Sequence, residues 1–219
     1  MMRDKRGAAV TERCPMSRSS LSLAAKIALA AAVVAGGDAG TRRAAAQHHS
    51  MPYAKLAELL PAEPGRKACY ARSYDAAHLR DHPKQRVTSV TFFLRVVGLD
   101  ANGDKFFALR AEPYDRIQYE HVIALTRRGT KRKLSAGGYC SGDVTAQCAV
   151  ECDAGGLTLE KAGADALLIR LLDEGIEFDN DCDGGKGTRV KPGTDDRVFR
   201  VDKVSLDLCR ALEKSELGK

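Results

Sequence analysis

The feature that most constrains the fold is a cysteine-rich stretch at residues 139–159, YCSGDVTAQCAVECDAGGLTL. It places Cys140, Cys148 and Cys152 within thirteen residues and then reaches a glycine pair. Alternate residues of a strand point to opposite faces, so Cys148, Val150 and Cys152 are expected to share one face, the core face. The stretch therefore predicts short strands joined by turns and linked by disulfides.

The N-terminus has the pattern of a secretory signal. Residues 1–26 carry six basic side chains, and residues 27–35 form an uninterrupted apolar run followed by small residues. This run is shorter than the roughly 20 residues that a membrane-spanning helix needs. We expect residues 1–46 to be a signal peptide, with Met16 as an alternative start and Ala39 or Ala46 as the cleavage position. The product is expected to be soluble and periplasmic or secreted.

The positive charge of the chain belongs mostly to this signal. Residues 1–46 hold 8 basic and 3 acidic side chains, so their removal lowers the formal net charge from +6 to +1. A nearly neutral domain lacks the basic surface typical of nucleic-acid binding. We expect no nucleic-acid partner, and no stable membrane span once the signal is removed.

Six cysteines remain after signal removal, and an even number in an exported chain predicts up to three disulfides. Cysteines four residues apart in one strand lie roughly 13 Å apart, too far to bond to each other. The expected pairs are Cys140 with Cys148 across a hairpin, Cys152 with Cys182, and Cys69 with Cys209 joining the two ends of the domain. Zinc is the alternative use of these thiols, but the chain has no C-x2-C pair.

Alternating apolar residues between turn signals predict the secondary structure. Besides those of the cysteine-rich stretch, the expected strands are residues 87–97, 105–112, 116–127, 133–139, 157–159, 166–172 and 197–201. The expected helices are residues 53–60, residues 76–81 capped by Asp75, and residues 203–212 capped by Asp202. Residues 173–193 are expected to be a loop.

Seven or more short strands predict an all-β fold, an antiparallel sandwich or barrel, rather than an α/β fold. A short N-terminal helix and a C-terminal helix complete it, and disulfides staple it. The expected organisation is a flexible arm at residues 47–66, a single β domain at residues 67–214 and a tail at residues 215–219.

The stretch Asp179-Asn180-Asp181-Cys182-Asp183-Gly184 resembles the first half of a calcium loop. Asp179, Asp181 and Asp183 stand at ligand positions 1, 3 and 5, and glycine stands at the tight bend. The second half fails, because Val190 occupies the place of the bidentate glutamate. Calcium is therefore one interpretation, and a solvated acidic loop is the other. No further cofactor is expected.

A basic cluster flanks the turn near residue 130 and is the best candidate for binding an anionic partner, such as an envelope polymer. Another envelope protein is the alternative partner. An ordinary charged hairpin tip would show the same pattern. The cluster consists of Arg127, Arg128, Lys131, Arg132 and Lys133.

Catalytic motifs are weak in this chain. It lacks a G-x-S-x-G elbow, so no residue is predicted to be catalytic from a motif. His78 and His82 have the spacing of a metal pair, but no third ligand is evident. An enzyme site assembled only in three dimensions would draw on residues such as His121, Glu151 and Asp153. The chain has no tryptophan, which disfavours carbohydrate binding.

Three segments resemble a group of small exported bacterial proteins. They are CYARSYDAAHLRDHPKQRVTSV, GGYC followed by CAVECDAGG, and PGTDDRVFRVDKVSLDLC, which together span residues 69–212. The resemblance implies the fold unit and the even cysteine set, and it supplies no substrate, cofactor or catalytic residue. The favoured hypothesis is a non-catalytic binding or envelope-associated module. The alternatives are a calcium-dependent module and an envelope hydrolase.

Overall fold

Antiparallel strands make up most of the computed structural model, which describes residues 53–100, 102–106, 116–180, 182 and 187–218. The helices are α1 (Ala54–Ala57), α2 (Ala76–Asp81) and α3 (Asp207–Leu217). The strands are β1 (Lys67–Ser73), β2 (Val87–Leu99), β3 (Lys105–Phe106), β4 (Arg116–Arg127), β5 (Lys133–Ser141), β6 (Ala146–Val150), β7 (Gly155–Lys161), β8 (Ala166–Phe178), β9 (Thr188–Val190) and β10 (Val198–Val204).

Eight of these strands close into a barrel, so the barrel alternative of the predicted all-β fold is confirmed. Their order is β1-β10-β8-β7-β6-β5-β4-β2, and β2 returns to pair with β1. Cys69 of β1 lies opposite Val204 of β10 on one side and Phe93 of β2 on the other. Outside this order, strand β3 pairs antiparallel with β2, and β9 pairs antiparallel with β8. Closure of the sheet pairs both edges of every barrel strand, which removes the exposed edges of an open sheet.

The side chains of β4 show how the barrel wall separates two apolar regions. Tyr119, Ile123 and Leu125 point inward and belong to the main core. Val122 and Ala124 point outward into a second apolar cluster beneath α3. Both faces of the strand are therefore covered, which explains why its sequence is apolar on both faces instead of alternating cleanly.

Helix α3 starts later than the sequence predicts. The expected helix at residues 203–212 with an Asp202 cap is wrong, because β10 continues to Val204, which pairs with Cys69. The helix begins at Asp207 and has no side-chain cap. Hydrogen bonds to a strand more than 130 residues earlier hold this segment extended, and such long-range pairing overrides local helix signals.

The three disulfides pair as the sequence predicts. Cys69–Cys209 ties β1 to α3, Cys140–Cys148 joins opposed residues of β5 and β6, and Cys152–Cys182 fixes the turn after β6, with Cα separations of 5.9, 3.9 and 5.3 Å. These separations lie at or near the range that disulfides span.

The placement of Cys152 differs from the prediction. Cys148 and Val150 do face the core, but β6 ends at Val150 and Cys152 is exposed in the following turn. Cys152 and Asp153 both have positive φ, at 64° and 54°. The chain has left the strand conformation there, so the period-two pattern cannot be extended to Cys152.

Residues 173–193 are not simply a loop, which corrects that expectation. Strand β8 runs on to Phe178, and Ile176 and Phe178 are fully buried. Leu157 of β7 pairs with Leu171, whereas Gly155 pairs with Ile176. This register shift accommodates the polar residues that interrupt the apolar pattern. Of the strand expected at residues 105–112, the structure describes Lys105–Phe106, and residues 107–112 lie outside the described part.

The segment from residue 53 to residue 66 packs on the barrel, although the sequence suggests a flexible arm. Leu56 of α1 is fully buried in the main core. The Tyr119 hydroxyl donates a hydrogen bond of 2.8 Å to the Leu60 carbonyl. Helix α2 has its predicted bounds, and the Asp75 carboxylate accepts from the His78 backbone N–H as an N-cap.

Candidate functional site

A cavity lined by basic side chains lies where β2 begins and β4 ends. Val87 and Arg127 are directly paired there, and the short strand β9 contributes Arg189 from the other side. The cavity has a volume of about 240 Å³. Its lining consists of Arg86, Val87, Arg127, Arg189, Val190 and Lys191. Four cations from three chain segments thus surround one concave surface with two valines between them.

Two of these cations already have carboxylate partners. The Arg86 guanidinium lies 3.6 Å from Asp196, and Arg189 lies 2.7 Å from Glu177. Asp196 is buried and also accepts the backbone N–H groups of Arg86 and Val87, at 2.8 and 3.1 Å. Its charge is therefore shared among several donors and holds the β2 start in place.

The other two cations, Arg127 and Lys191, have no carboxylate partner among the residues that the structure describes. Four positive charges are thus offset by two negative ones. Like charges held close together repel one another, and an anion in the cavity would remove that repulsion. The chemistry favours a phosphate, sulfate or carboxylate group, which guanidinium groups bind through paired hydrogen bonds.

The predicted basic cluster is divided by the fold. Arg127 lines the cavity, whereas the Arg128 guanidinium donates to the backbone carbonyls of Leu79 and Pro83 at 2.9 and 3.4 Å. Arg132 pairs with Asp179 at 2.6 Å. Lys131 and Lys133 are exposed. One member of the cluster therefore reaches the cavity.

Sequence reasoning missed Arg86, Arg189 and Lys191. The sequence did contain a pattern that indicates Arg189 and Lys191. Arg189-Val190-Lys191 alternates basic, apolar and basic residues, as a strand with one solvent-exposed face does. This three-residue pattern was not recognised because residues 173–193 were expected to be a loop.

A second concave surface, the acidic groove, lies on the outer flank between α3 and β5 and encloses about 520 Å³. Ser135 and Gly137 form part of its floor. Its acidic members are Glu120, Glu151, Glu177, Asp179 and Glu216, and its basic members are Arg95 and Lys105. Most of these charges have internal partners, as the following contacts show.

Arg95 and Glu120 form a buried ion pair at one side of the groove. Arg95 Nη2 lies 2.6 Å from Glu120, and Arg95 Nη1 lies 3.2 Å from Glu213 of α3. Lys105 reaches the second Glu120 oxygen at 2.6 Å. Burial opposes the charged form of Lys105, but the hydrogen bond and charge of Glu120 outweigh it and raise the pKa of Lys105. Burial and the neighbouring Glu151 raise the pKa of Tyr139.

The calcium interpretation rests on residues of which only Asp179 is described. Its Oδ2 pairs with Arg132 at 2.6 Å, and its Oδ1 accepts the Ser135 N–H at 3.1 Å. Both oxygens are therefore engaged, and a cation would have to displace Arg132. Asp181 and Asp183 lie outside the described residues, so calcium binding stays a prediction.

The two histidines of α2 interact with each other and with their own loop. Their rings stack at 4.2 Å between centroids. His78 Nε2 lies 3.0 Å from Gln85 Oε1, and His82 Nδ1 lies 3.0 Å from the His78 carbonyl. Parallel stacked rings do not point their free nitrogens at one common position, as a shared metal ion requires.

The residues considered for an assembled enzyme site are on different sides of the barrel wall. Glu151 lines the acidic groove, and Asp153 lies in the exposed turn beside it. His121 alternates with Val122 and points inward, where it is fully buried. Burial lowers the pKa of His121 to about 4, and a contact with the Gly138 backbone opposes this lowering without outweighing it. The structure does not bring these three side chains together.

No family model, no curated protein and no solved structure matches this chain. The resemblance of residues 69–212 to small exported bacterial proteins stays an expectation from sequence. Within the described part of the chain, every helix is too short or too polar to cross a membrane.

Proposed function

We propose that this protein is a non-catalytic binding module of the cell envelope that holds an anionic group of an envelope polymer in the basic cavity. The observation that carries the proposal is the excess of positive charge there. Arg127 and Lys191 line the cavity without a carboxylate partner among the described residues, beside Arg86 and Arg189.

The cysteine set supports a location outside the cytoplasm. Three disulfides within one small domain are typical of proteins that mature in an oxidising compartment. Together with the signal-like residues 1–46, this favours the periplasm or the extracellular space.

The volume of the cavity suits one charged group that belongs to a larger ligand. A volume of about 240 Å³ is below the roughly 300 Å³ at which small-molecule pockets begin, so it suits one charged group and not a whole drug-sized molecule. A polymer could place one anionic group in the cavity and leave the rest of its chain outside.

The two alternatives have less support. A calcium-dependent module would have to break the Arg132–Asp179 ion pair. A hydrolase would need an acid or base near a nucleophile, but the barrel wall separates His121 from Glu151.

The test is calorimetric titration with two probes, polyphosphate and polygalacturonate, at low ionic strength, where charge interactions are least screened. The double variant Arg127→Gln/Lys191→Gln removes the two cations that have no carboxylate partner among the described residues. We expect it to bind at least about tenfold more weakly than the parent chain, which corresponds to about 1.4 kcal/mol. Comparison of the probes distinguishes phosphate from carboxylate as the preferred group.

The matched control is Lys131→Gln/Lys133→Gln, which removes the same charge from an exposed turn outside the cavity. It should weaken binding by about twofold or less, because exposed lysines act mainly through screened, long-range attraction. An equal loss of affinity in both double variants would show that the polymer is held by general electrostatic attraction and not at the cavity. No binding of either polymer by the parent chain would overturn the proposal.

A further inference from the structure

One polar cluster lies inside the barrel and has no part in the basic cavity. His121 projects inward from β4, and Cys140 and Cys148 project inward from β5 and β6. Cys140 lies opposite Tyr119, two residues from His121 along β4. One ring nitrogen of His121 and the sulfurs of Cys140 and Cys148 all lie within 4.8 Å of one another.

His121 is the unusual member of this cluster. Its side chain is fully buried, and neither ring nitrogen makes a hydrogen bond of normal geometry, so the contact with the Gly138 backbone is at most a weak one. A buried polar group without a partner destabilises the fold, and an apolar residue of similar size would avoid that cost. Its ring stacks against Phe92 with 5.8 Å between centroids, and a hydrocarbon side chain could make the same packing contact. Two free nitrogens beside two sulfurs indicate a use for the imidazole as a ligand.

We propose that reduction of the Cys140–Cys148 disulfide converts this cluster into a copper(I) site with two thiolate ligands and one imidazole ligand. A dithiol reductant supplies two electrons and two protons, so the protein disulfide becomes two thiols and the reductant becomes a disulfide. Copper(I) then replaces the two thiol protons, which are released, and binds one nitrogen of neutral His121. The oxidation state of copper does not change.

The ligand set and its surroundings favour copper(I) over zinc(II). Thiolates are soft ligands that select copper(I), and copper(I) is stable with three ligands. Zinc sites are almost always four-coordinate. In the part of the chain that the structure describes, no fourth His, Cys, Asp or Glu joins the cluster, and its other neighbours belong to the apolar core.

The fold can tolerate the loss of this disulfide better than the loss of Cys69–Cys209. The Cys140–Cys148 loop has a sequence separation of 8, and the other has 140. In the chain-entropy model the shorter loop contributes less stability than the longer one. Strands β5 and β6 also stay paired through four backbone positions on the same hairpin. Reduction therefore need not open the barrel.

A surface pocket borders the cluster at Cys140. Cys140 lines a surface pocket of about 470 Å³ together with Tyr53, Gln118 and Gln147. Tyr53 packs against Tyr119 with 5.4 Å between ring centroids. Cys140 is nearly fully buried, so a reductant or a copper ion needs local opening of the structure beside this pocket to reach its sulfur.

The experiment titrates copper(I) into the full mature chain under anaerobic conditions against a chromogenic copper(I) chelator. The oxidised and the reduced chain are compared first, after mass spectrometry has shown which disulfides are open. We expect the reduced chain to take up one copper(I) from the chelator and the oxidised chain to take up none. Equal uptake by both would overturn the proposal, and this comparison needs no variant to fold.

Variants then assign the ligands. Cys140→Ser/Cys148→Ser should abolish uptake, whereas Cys152→Ser/Cys182→Ser removes two thiols outside the barrel and should leave it unchanged. His121→Leu should weaken it at least about tenfold. X-ray absorption of the copper-bound parent should show two sulfur neighbours and one nitrogen neighbour. Retained uptake in the first variant, an unchanged affinity in His121→Leu, or sulfur neighbours alone would overturn the site.

Discussion

Two adjacent buried polar residues of β4, one on its outer face and one on its inner face, differ in whether they have hydrogen-bond partners. Glu120 faces outward, is 1% exposed, and binds Arg95 with one oxygen and Lys105 with the other. His121 faces inward, is 0% exposed, and has no partner for either nitrogen. The comparison teaches that burial of a polar group does not by itself mark a site. What distinguishes the two regions is whether the fold satisfies the buried group.

The same distinction separates the two concave surfaces. Most charges of the acidic groove are paired within the protein, as at Arg95–Glu120 and Arg132–Asp179. The basic cavity keeps Arg127 and Lys191 without a carboxylate among the described residues. This difference supports the proposal that the cavity, and not the larger groove, is the binding surface.

The largest expected effect is on the satisfied side of β4. Glu120→Ala should lower the free energy of unfolding by about 3–5 kcal/mol, because it leaves the Arg95 charge buried without its closest partner. Glu213→Ala, which removes the more exposed partner, should cost about 1 kcal/mol. Urea unfolding at pH 7 with the disulfides intact measures both. An equal or smaller loss in Glu120→Ala would contradict the assignment of this pair to stability.

The next effect concerns the unsatisfied side and depends on pH. The pKa of His121 is about 4 in the fold, below its ordinary value of 6.5. Between these values the unfolded chain takes up a proton that the folded chain refuses, so stability falls as pH falls from about 6.5 to about 4. The loss amounts to about 3 kcal/mol. Above pH 6.5 the imidazole is neutral in both states and contributes no pH dependence.

The variant His121→Leu checks this pH effect in the disulfide-closed protein. The parent and the variant share all other titrating groups, so the difference between their stabilities isolates the imidazole. We expect the variant to gain on the parent by about 3 kcal/mol as pH falls from about 7 to about 4. Urea unfolding across this range is the measurement, and a constant difference would show that His121 takes up its proton in the fold as readily as in the unfolded chain.

The smallest effect is expected at the basic cavity. Arg127→Gln/Lys191→Gln should change the free energy of unfolding by no more than about 0.5 kcal/mol, since it removes a half-buried and an exposed charge that have no carboxylate partner in the described part of the chain. Relief of repulsion would make the sign stabilising, and added salt should reduce the difference. Thermal unfolding at low and high salt measures it. A loss of more than about 1 kcal/mol would show that these cations support the fold.

Local patterns predicted much of the architecture. The bounds of β4 and α2 follow from their own residues, because alternating apolar residues favour a strand and Asp75 provides an N-cap. The prediction failed where a distant strand decided the conformation. Val204 is extended because it pairs with Cys69, and Phe178 belongs to a strand because it pairs with Thr188.

The candidate sites were less accessible to prediction. The basic cavity combines Arg127, the one cluster member that reaches it, with residues from two other segments. His121 was expected on a strand, but the sequence could not show that its ring lies beside the Cys140–Cys148 disulfide with both nitrogens unpaired.

The amino-acid sequence by itself determined the β class and the even set of cysteines, because strand alternation and cysteine content can be read locally. The disulfide pairing was an expectation that the structure then confirmed. Only the tertiary structure decided that the sheet closes into a barrel, that Glu120 and His121 lie on opposite sides of its wall, and that four cations meet at one end. These outcomes depend on hydrogen-bond register between strands far apart in the chain. A shift of that register by one residue would exchange the inward and outward faces.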